Sequence, residues 1–283
     1  HSAVADSDRP HPPRRPKPDL SNDTIAAAWL DHLKRDRGLS DNTITTYQRT
    51  LRTITFDLLN ATYNDVAAWT HSRAHLAVAT RNNEIAALRS FYRWALAFDH
   101  VERDPTARTY APKQPKGLPR PISRADLHKI LDTADPEVRR AICLGAYGGL
   151  RISEAAALMW ADVDTETRRI RVTGKGGKTR LVGLSPLLLD ELLPDTGGNV
   201  VTGTSTIYSA ATMQRRVNRS MRRAGVTCTY HQLRHRYATI ALATTSNLLA
   251  VSRALGHSSP ATTAIYAATS DADLDVIADA VCR

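Results

Sequence analysis

Tyr230-His231-Gln232-Leu233-Arg234-His235, then Leu255-Gly256-His257, then Ala264-Ile265-Tyr266-Ala267, is the stretch on which the reading of this chain turns. The pattern predicts helices over 230–243, 247–255 and 260–268, and places His231, Arg234 and His235 within one turn. Imidazole, guanidinium, imidazole and phenol in that order suit a phosphodiester: donors for the non-bridging oxygens and a hydroxyl able to attack phosphorus. No single member of the set is informative alone, and the reading depends on whether the rest of the chain supplies the missing parts.

Working outward, the 283 residues are enough for one large or two moderate domains. A hydrophobic fraction of 42% fits a globular protein. No window reaches the roughly 18 consecutive apolar residues of a membrane span, and with no signal peptide the expectation is a cytoplasmic or nucleoid location. A formal net charge of +10 points to a polyanion partner, most simply nucleic acid. Cys143, Cys228 and Cys282 are odd in number and widely spaced, which reads as reduced thiols without a disulfide framework.

Residues 1–18 are rich in proline and basic side chains and read as a flexible arm. Residues 19–103 read as a four-helix domain. Ser21 or Asn22 caps a helix with Ile25, Ala28, Trp29 and Leu33 inward, stopped at Gly38; a second carries Ile44, Tyr47, Leu51 and Ile54; a third spans 64–72; a fourth spans 80–98 with Ile85, Leu88, Tyr92 and Ala95 inward. The polar faces of the second and fourth mix short hydroxyls and amides with arginine, including Thr43, Thr46, Arg49, Arg81, Asn82 and Arg89, a mix suited to phosphate and groove contacts. Residues 104–121 repeat proline and read as an extended basic linker in which Lys113 and Lys116 face a phosphate backbone. Residues 122–283 form the second domain: helices capped at Ser123 and opened by Pro136, strands at 168–172 and 179–184 pairing across a glycine turn, helices at 186–193 and 209–223, the three of the opening stretch, and a last one at 271–281. The fold expected is mainly α with a small antiparallel sheet, and without the alternation of a Rossmann fold.

Two familiar sites fail. Gly177-Lys178-Thr179 ends like a P-loop, but residue 172, where that motif needs glycine, is Val172. His231 and His235 have the spacing of a helical zinc pair, but Gln232 stands where a hydrolase needs its glutamate base and no third ligand is evident, so no metal is expected. What remains is phosphodiester transfer. Arginine suits its transition state because a planar, permanently charged fork bonds two oxygens at once. Arg151 follows two glycines at a helix start, where main-chain N–H groups would also face the anion. Lys175, between glycines in the hairpin, could reach a leaving group as general acid, with Lys178 in the same turn as the alternative.

These residues carry a family resemblance. Tyr147-Gly148-Gly149-Leu150-Arg151-Ile152-Ser153-Glu154, Thr173-Gly174-Lys175-Gly176-Gly177-Lys178-Thr179-Arg180, His231-Gln232-Leu233-Arg234-His235 and Leu255-Gly256-His257…Tyr266 stand in the order and approximate spacing of the tyrosine recombinases, or phage-type integrases, with the Xer recombinases as close relatives. The run Gly38-Leu39-Ser40-Asp41-Asn42-Thr43…Tyr47 resembles the same family's core-DNA-binding domain, so the resemblance spans about residues 20–270.

The resemblance implies a helical core-DNA-binding domain and a mixed α+β catalytic domain. Tyr266 would form a 3′-phosphotyrosyl bond, Arg151 and Arg234 would clamp the scissile phosphate, and Lys175 would protonate the 5′-hydroxyl. His231 would handle the nucleophile's proton, His257 would bond the phosphate, and Glu154 would hold the first arginine or the histidine. No cofactor is expected, because one phosphodiester is exchanged for another. Partners implied are double-stranded DNA with inverted core sites, a homotetramer passing through a Holliday junction with the 271–281 helix packing on a neighbouring protomer or its own domain, and accessory bending or directionality factors. Integration of a phage or mobile element is the leading role. A Xer-type dimer resolvase and a type IB topoisomerase, which shares this chemistry, are the alternatives. Residues 1–18 are too short for an arm-site domain, which reads as a minimal or truncated integrase.

Overall fold

A computed structural model describes residues 21–113, 120–174, 177–192 and 197–256, and the chain divides into two compact units, His1–Lys116 and Gly117–Arg283. The expected helices at 260–268 and 271–281 lie outside the described residues, as do Lys116, Lys175, His257 and Tyr266.

The first unit is built from α1 (Asn22–Arg35), α2 (Asp41–Leu51), α3 (Tyr63–Ser72) and α4 (Val78–Ala97). Ser21 and Ser40 cap α1 and α2 by accepting from the amides of Thr24 and Thr43, and Thr62 with Asp65 makes a full capping box on α3. Ile25, Trp29 and Leu33 form the inner stripe of α1, while Ala28, expected among them, is exposed. The four-residue spacing of the three large side chains sets the buried face, and residue 28 falls beyond its edge. Trp29 stacks on Tyr47 and meets Phe91 edge-on, so aromatic rings from three helices close the core. Ile54 packs from the turn after α2 rather than from the helix.

Residues 104–112, inside the stretch read as linker, are folded onto this unit. Thr106 and Thr109 are buried, Arg89 donates to the Thr109 carbonyl, and Asn82 donates to the Pro112 carbonyl.

The second unit contains α5 (Arg124–Thr133), α6 (Pro136–Gly148), α7 (Ile152–Ala157), a 3-10 turn at Trp160–Asp162, β1 (Val163–Asp164), β2 (Arg169–Thr173), β3 (Thr179–Gly183), α8 (Pro186–Leu192), α9 (Ala210–Arg223), α10 (Tyr230–Thr245) and α11 (Leu248–Leu255). The antiparallel sheet has order β1-β2-β3, with Ile170 opposite Val182 and Val172 opposite Arg180. β1 is absent from the expected strands, being too short for any periodicity to reveal. Helix α6 runs through the core, with Ala141, Ile142, Cys143 and Leu144 fully buried. Tyr230, the first residue of α10, donates to the Ala141 carbonyl at 2.9 Å and pins α10 against α6. Burial pushes the Cys143 thiol up to about 12 and the Cys228 thiol up to about 11, so neither is a reactive thiolate.

Candidate functional site

The centre of the site is Glu154. It is the third residue of α7, and its carboxylate accepts from the main-chain N–H of Arg151 at 2.8 Å. That N–H is expected from sequence to face an anion; here it is spent inside the protein. The Arg151 guanidinium reaches the other carboxylate oxygen at 3.0 Å and the Gly256 carbonyl at 3.3 Å, while its side chain stays 41% exposed. A capping pair thus fixes the arginine's root and its head together.

Two further arginines converge on the same carboxylate. Arg180, from β3, bonds both oxygens of Glu154 at 2.8 and 2.7 Å and donates through Nε to the Ala254 carbonyl at 2.8 Å. Arg234, from α10, is 1% exposed; it donates to the Gly149 carbonyl at 2.6 Å and the Leu255 carbonyl at 2.5 Å, with Nη1 3.9 Å from Glu154. Burial works against ionisation of Glu154, but hydrogen bonds from Arg180 and the Arg151 main chain outweigh it and hold the carboxyl below its ordinary range. A buried carboxylate ringed by cations stays charged.

Glycine permits the close approaches. Gly149 ends α6 at φ +66°, and a Cβ there would lie 2.6 Å from the Tyr237 ring. Gly256 ends α11 at φ +64°, and a Cβ there would lie 2.9 Å from the Arg180 side chain.

His231 and His235, one turn apart on α10, meet edge-to-face with ring centroids 4.2 Å apart. Burial and the charges of Arg234 and Arg151 lower the His231 pKa; burial, then His231 and Arg234, lower that of His235 to about 4. Between pH 6.5 and about 4 the unfolded chain takes up a proton on His235 that the folded chain refuses, and His231 acts in the same direction, so stability falls as pH falls through that window. The expected result is a larger drop in unfolding midpoint between pH 7 and pH 5 for wild type than for His235→Asn. An equal drop would contradict the depressed value.

The structure therefore brings Arg151, Glu154, His231 and Arg234 to one place. Lys178 is exposed in the β2–β3 turn, where its carbonyl accepts from Gly174 N at 2.8 Å. Arg180, which the sequence places in a strand without a role, joins them. The available signal is alternation: Arg180 and Val182 share the inward face of β3, an unusual place for a cation.

The residues expected to contact DNA differ among themselves. Arg49 and Lys113 are exposed, Thr43, Thr46 and Arg81 are half-buried, and Asn82 and Arg89 hold the chain that follows α4. Thr46 donates to the Asn42 carbonyl at 2.8 Å. A basic face not among those expectations lies on α9, where Arg215, Arg219 and Arg222 recur at four- and three-residue spacing and are all exposed. Their neighbour Arg216 is engaged otherwise, with Asp135, Glu137 and the Tyr208 ring. No helix among the described residues is long and apolar enough to cross a membrane.

Comparison with known proteins adds to this geometry. The phage integrase family matches residues 121–273, and its N-terminal SAM-like domain matches residues 26–97. Tyrosine recombinase XerC of Mesorhizobium japonicum is 32% identical over 295 residues, covering 91% of this chain and 94% of its own. Tyrosine recombinase XerD of Shewanella oneidensis is 30% identical, covering 86% and 91%. Among solved structures, a lambda integrase (75–356) dimer bound to a COC' core site has a TM-score of 0.72 at 21% identity, covering 87% of this chain and 96% of that one. A lambda integrase tetramer bound to a Holliday junction gives 0.72 at 20%, covering 86% and 79%. The XerH site-specific recombinase in its pre-cleavage complex with difH gives 0.65 at 22%, covering 89% and 83%. These likenesses show that the fold is shared.

Proposed function

The chain belongs to the phage integrase family of tyrosine recombinases, site-specific enzymes that cleave and rejoin DNA, and from that premise we propose how its own residues divide the work. The Tyr266 hydroxyl attacks the scissile phosphorus, a tyrosyl–phosphorus bond forms at the 3′ side, and the bond to the 5′ oxygen breaks. His231 takes the phenolic proton. Lys175, or Lys178 from the same turn, gives a proton to the departing 5′ oxygen. Arg151, Arg234 and His257 hold the non-bridging oxygens as charge builds on them. In the second half, a 5′-hydroxyl from another strand attacks the phosphotyrosine and the tyrosine leaves, so no cofactor energy is drawn upon.

The observation that carries this reading is the cluster around Glu154, where arginines from three separate segments meet and Arg151 keeps an exposed edge. His231 supports it, since a pKa lowered by burial and the two arginines leaves the ring neutral and able to accept a proton near pH 7. The exposed arginines of α9, with Thr43, Thr46, Arg49 and Arg81 of the first unit and Lys113 and Lys116 of the chain after it, would supply phosphate and groove contacts. The assembly would be a homotetramer on two duplexes with inverted core sites, working at the nucleoid with DNA-bending or directionality factors.

Integration or excision of a mobile element is the role we favour. Curated relatives named XerC and XerD at 30–32% identity favour dimer resolution as the second reading. An attachment site beside the gene supports the first; dependence on a cell-division DNA translocase supports the second.

The test is a nicked suicide duplex carrying candidate core sites from flanking DNA. Wild type is expected to form a detergent-stable protein–DNA adduct, and its binding is expected to fall steeply with salt as phosphate contacts release counterions. Arg215→Gln, Arg219→Gln and Arg222→Gln should each reduce the slope of log affinity against log salt by about 1. A site bound and protected by the protein that yields no adduct would overturn the reading; a flat salt profile would overturn the phosphate contacts.

A further inference from the structure

Resting on that reading of the site, we propose that Arg180 is a positioning residue for strand cleavage: it neutralises Glu154, so that this carboxylate can hold Arg151 in place without quenching the charge that Arg151 and Arg234 offer the phosphate. Arg180 takes both oxygens of Glu154, at 2.8 and 2.7 Å, in the fork-to-fork geometry that makes the strongest arginine–carboxylate pairs. Its side chain is 10% exposed, and its Nε is committed to the Ala254 carbonyl. All three nitrogens of the guanidinium are therefore engaged within the protein, which sets Arg180 apart from the 41%-exposed Arg151.

The charge arithmetic gives this pair its consequence. Three guanidiniums around one carboxylate leave this cluster, counted without the lysine of the hairpin and His257, two net positive charges. A phosphodiester brings one negative charge, and the five-coordinate state formed as a hydroxyl attacks carries close to two on its equatorial oxygens. The arginine cluster therefore offers more positive charge than the ground-state phosphodiester carries and favours the transition state over it, the condition for accelerating the step. Without Arg180 the net charge falls to one. Glu154 then keeps only its bonds from Arg151, and its uncompensated charge draws in Arg234, already 3.9 Å away, as an ion pair that withdraws Arg234 from the phosphate.

The anchorage has a second effect. The Arg180 side chain lies against Gly256, and its Nε bonds the last turn of α11, so the hairpin that carries Lys175 and the helix end that leads into His257 share one strut. Strand β3 and the last turn of α11 are thereby referred to one carboxylate.

The experiment compares Arg180→Met, Arg180→Lys and the double variant Arg180→Met with Glu154→Gln. Three quantities are read for each: the single-turnover rate of adduct formation on a suicide duplex at saturating protein, DNA affinity, and unfolding midpoint. Arg180→Met is expected to slow cleavage on the order of tenfold or more, with affinity within about threefold of wild type. Adding Glu154→Gln removes the orphaned negative charge, restores two net positive charges and should recover about fivefold of the lost rate. Arg180→Lys, which keeps the charge and gives up the fork, should lose less than Arg180→Met. If Arg180→Met does not fold, Arg180→Gln carries the same expectations. A wild-type rate in Arg180→Met, a double variant no faster than the single, or rates that follow the unfolding midpoint across all variants would each overturn the charge-balancing role. Failure of wild type to form any adduct would instead overturn the function on which it rests.

Discussion

Tyr266→Phe is expected to abolish the covalent adduct, a loss on the order of 10⁴-fold or more, while DNA affinity stays within about threefold of wild type. The substitution removes one oxygen atom and leaves the ring, so the groups proposed to grip DNA are untouched and only the attacking atom is gone. Described tyrosines near the arginine cluster offer no substitute. Tyr230 is 3% exposed, donates its hydroxyl proton to the Ala141 carbonyl, and has its pKa pushed far up by burial. Tyr237 is packed against Gly149, and burial raises its pKa too, with Arg180 and Arg234 only partly opposing. A hydroxyl that resists ionisation and already bonds a carbonyl is a poor nucleophile. If a suicide duplex still traps the Tyr266→Phe variant, the assignment of the nucleophile is wrong.

Arg151→Ala and Arg234→Ala are each expected to cut the cleavage rate by on the order of 10²-fold or more, the scale seen when a donor to a developing oxyanion is removed. Their effects on stability should differ. Arg151 is 41% exposed, so its removal costs the fold little. Arg234 is buried and bonds two carbonyls from distant segments, so alanine leaves both acceptors without those bonds and Glu154 with less compensation. Breaking such a buried arrangement costs on the order of 3 kcal/mol, and the unfolding midpoint of Arg234→Ala should drop well below that of Arg151→Ala. Arg234→Lys, keeping charge but losing the fork, should recover stability more than activity. Near-wild-type cleavage by either alanine variant would remove that arginine from the clamp.

The parts of this fold that are legible in the sequence are those governed by short-range rules. Ser21, Ser40, Ser123, Asp135 with Pro136, and Ser209 announce helix starts because a cap acts on an amide three residues away. The Arg151–Glu154 spacing is legible on the same grounds. Arg180 is not, because its role arises only when β3 pairs with β2 in a particular register and turns residue 180 toward a carboxylate 26 positions earlier. Asn82 and Arg89 show the complementary difficulty. A polar helix face reads alike whether it meets a ligand or, as here, ties down the chain after α4. The amide of Arg151 reads as an anion donor from its position at a helix start, and the capping carboxylate of Glu154 claims it first.

Among the described residues, the acceptors of this arginine cluster include, beyond Glu154, the main-chain carbonyls of Gly149, Ala254, Leu255 and Gly256. A carbonyl is present whatever side chain its residue bears, so this wiring is written in the path of the backbone rather than in the residue alphabet. Drift at positions 254 and 255 leaves the acceptors in place, provided the last turn of α11 keeps its course; at 149 and 256, the ring of Tyr237 and the stem of Arg180 demand the missing Cβ. Descendants of such a site can therefore diverge across most of the shell and still inherit its geometry. What selection must preserve is three arginines, one carboxylate, two glycines and the curve of the chain between them.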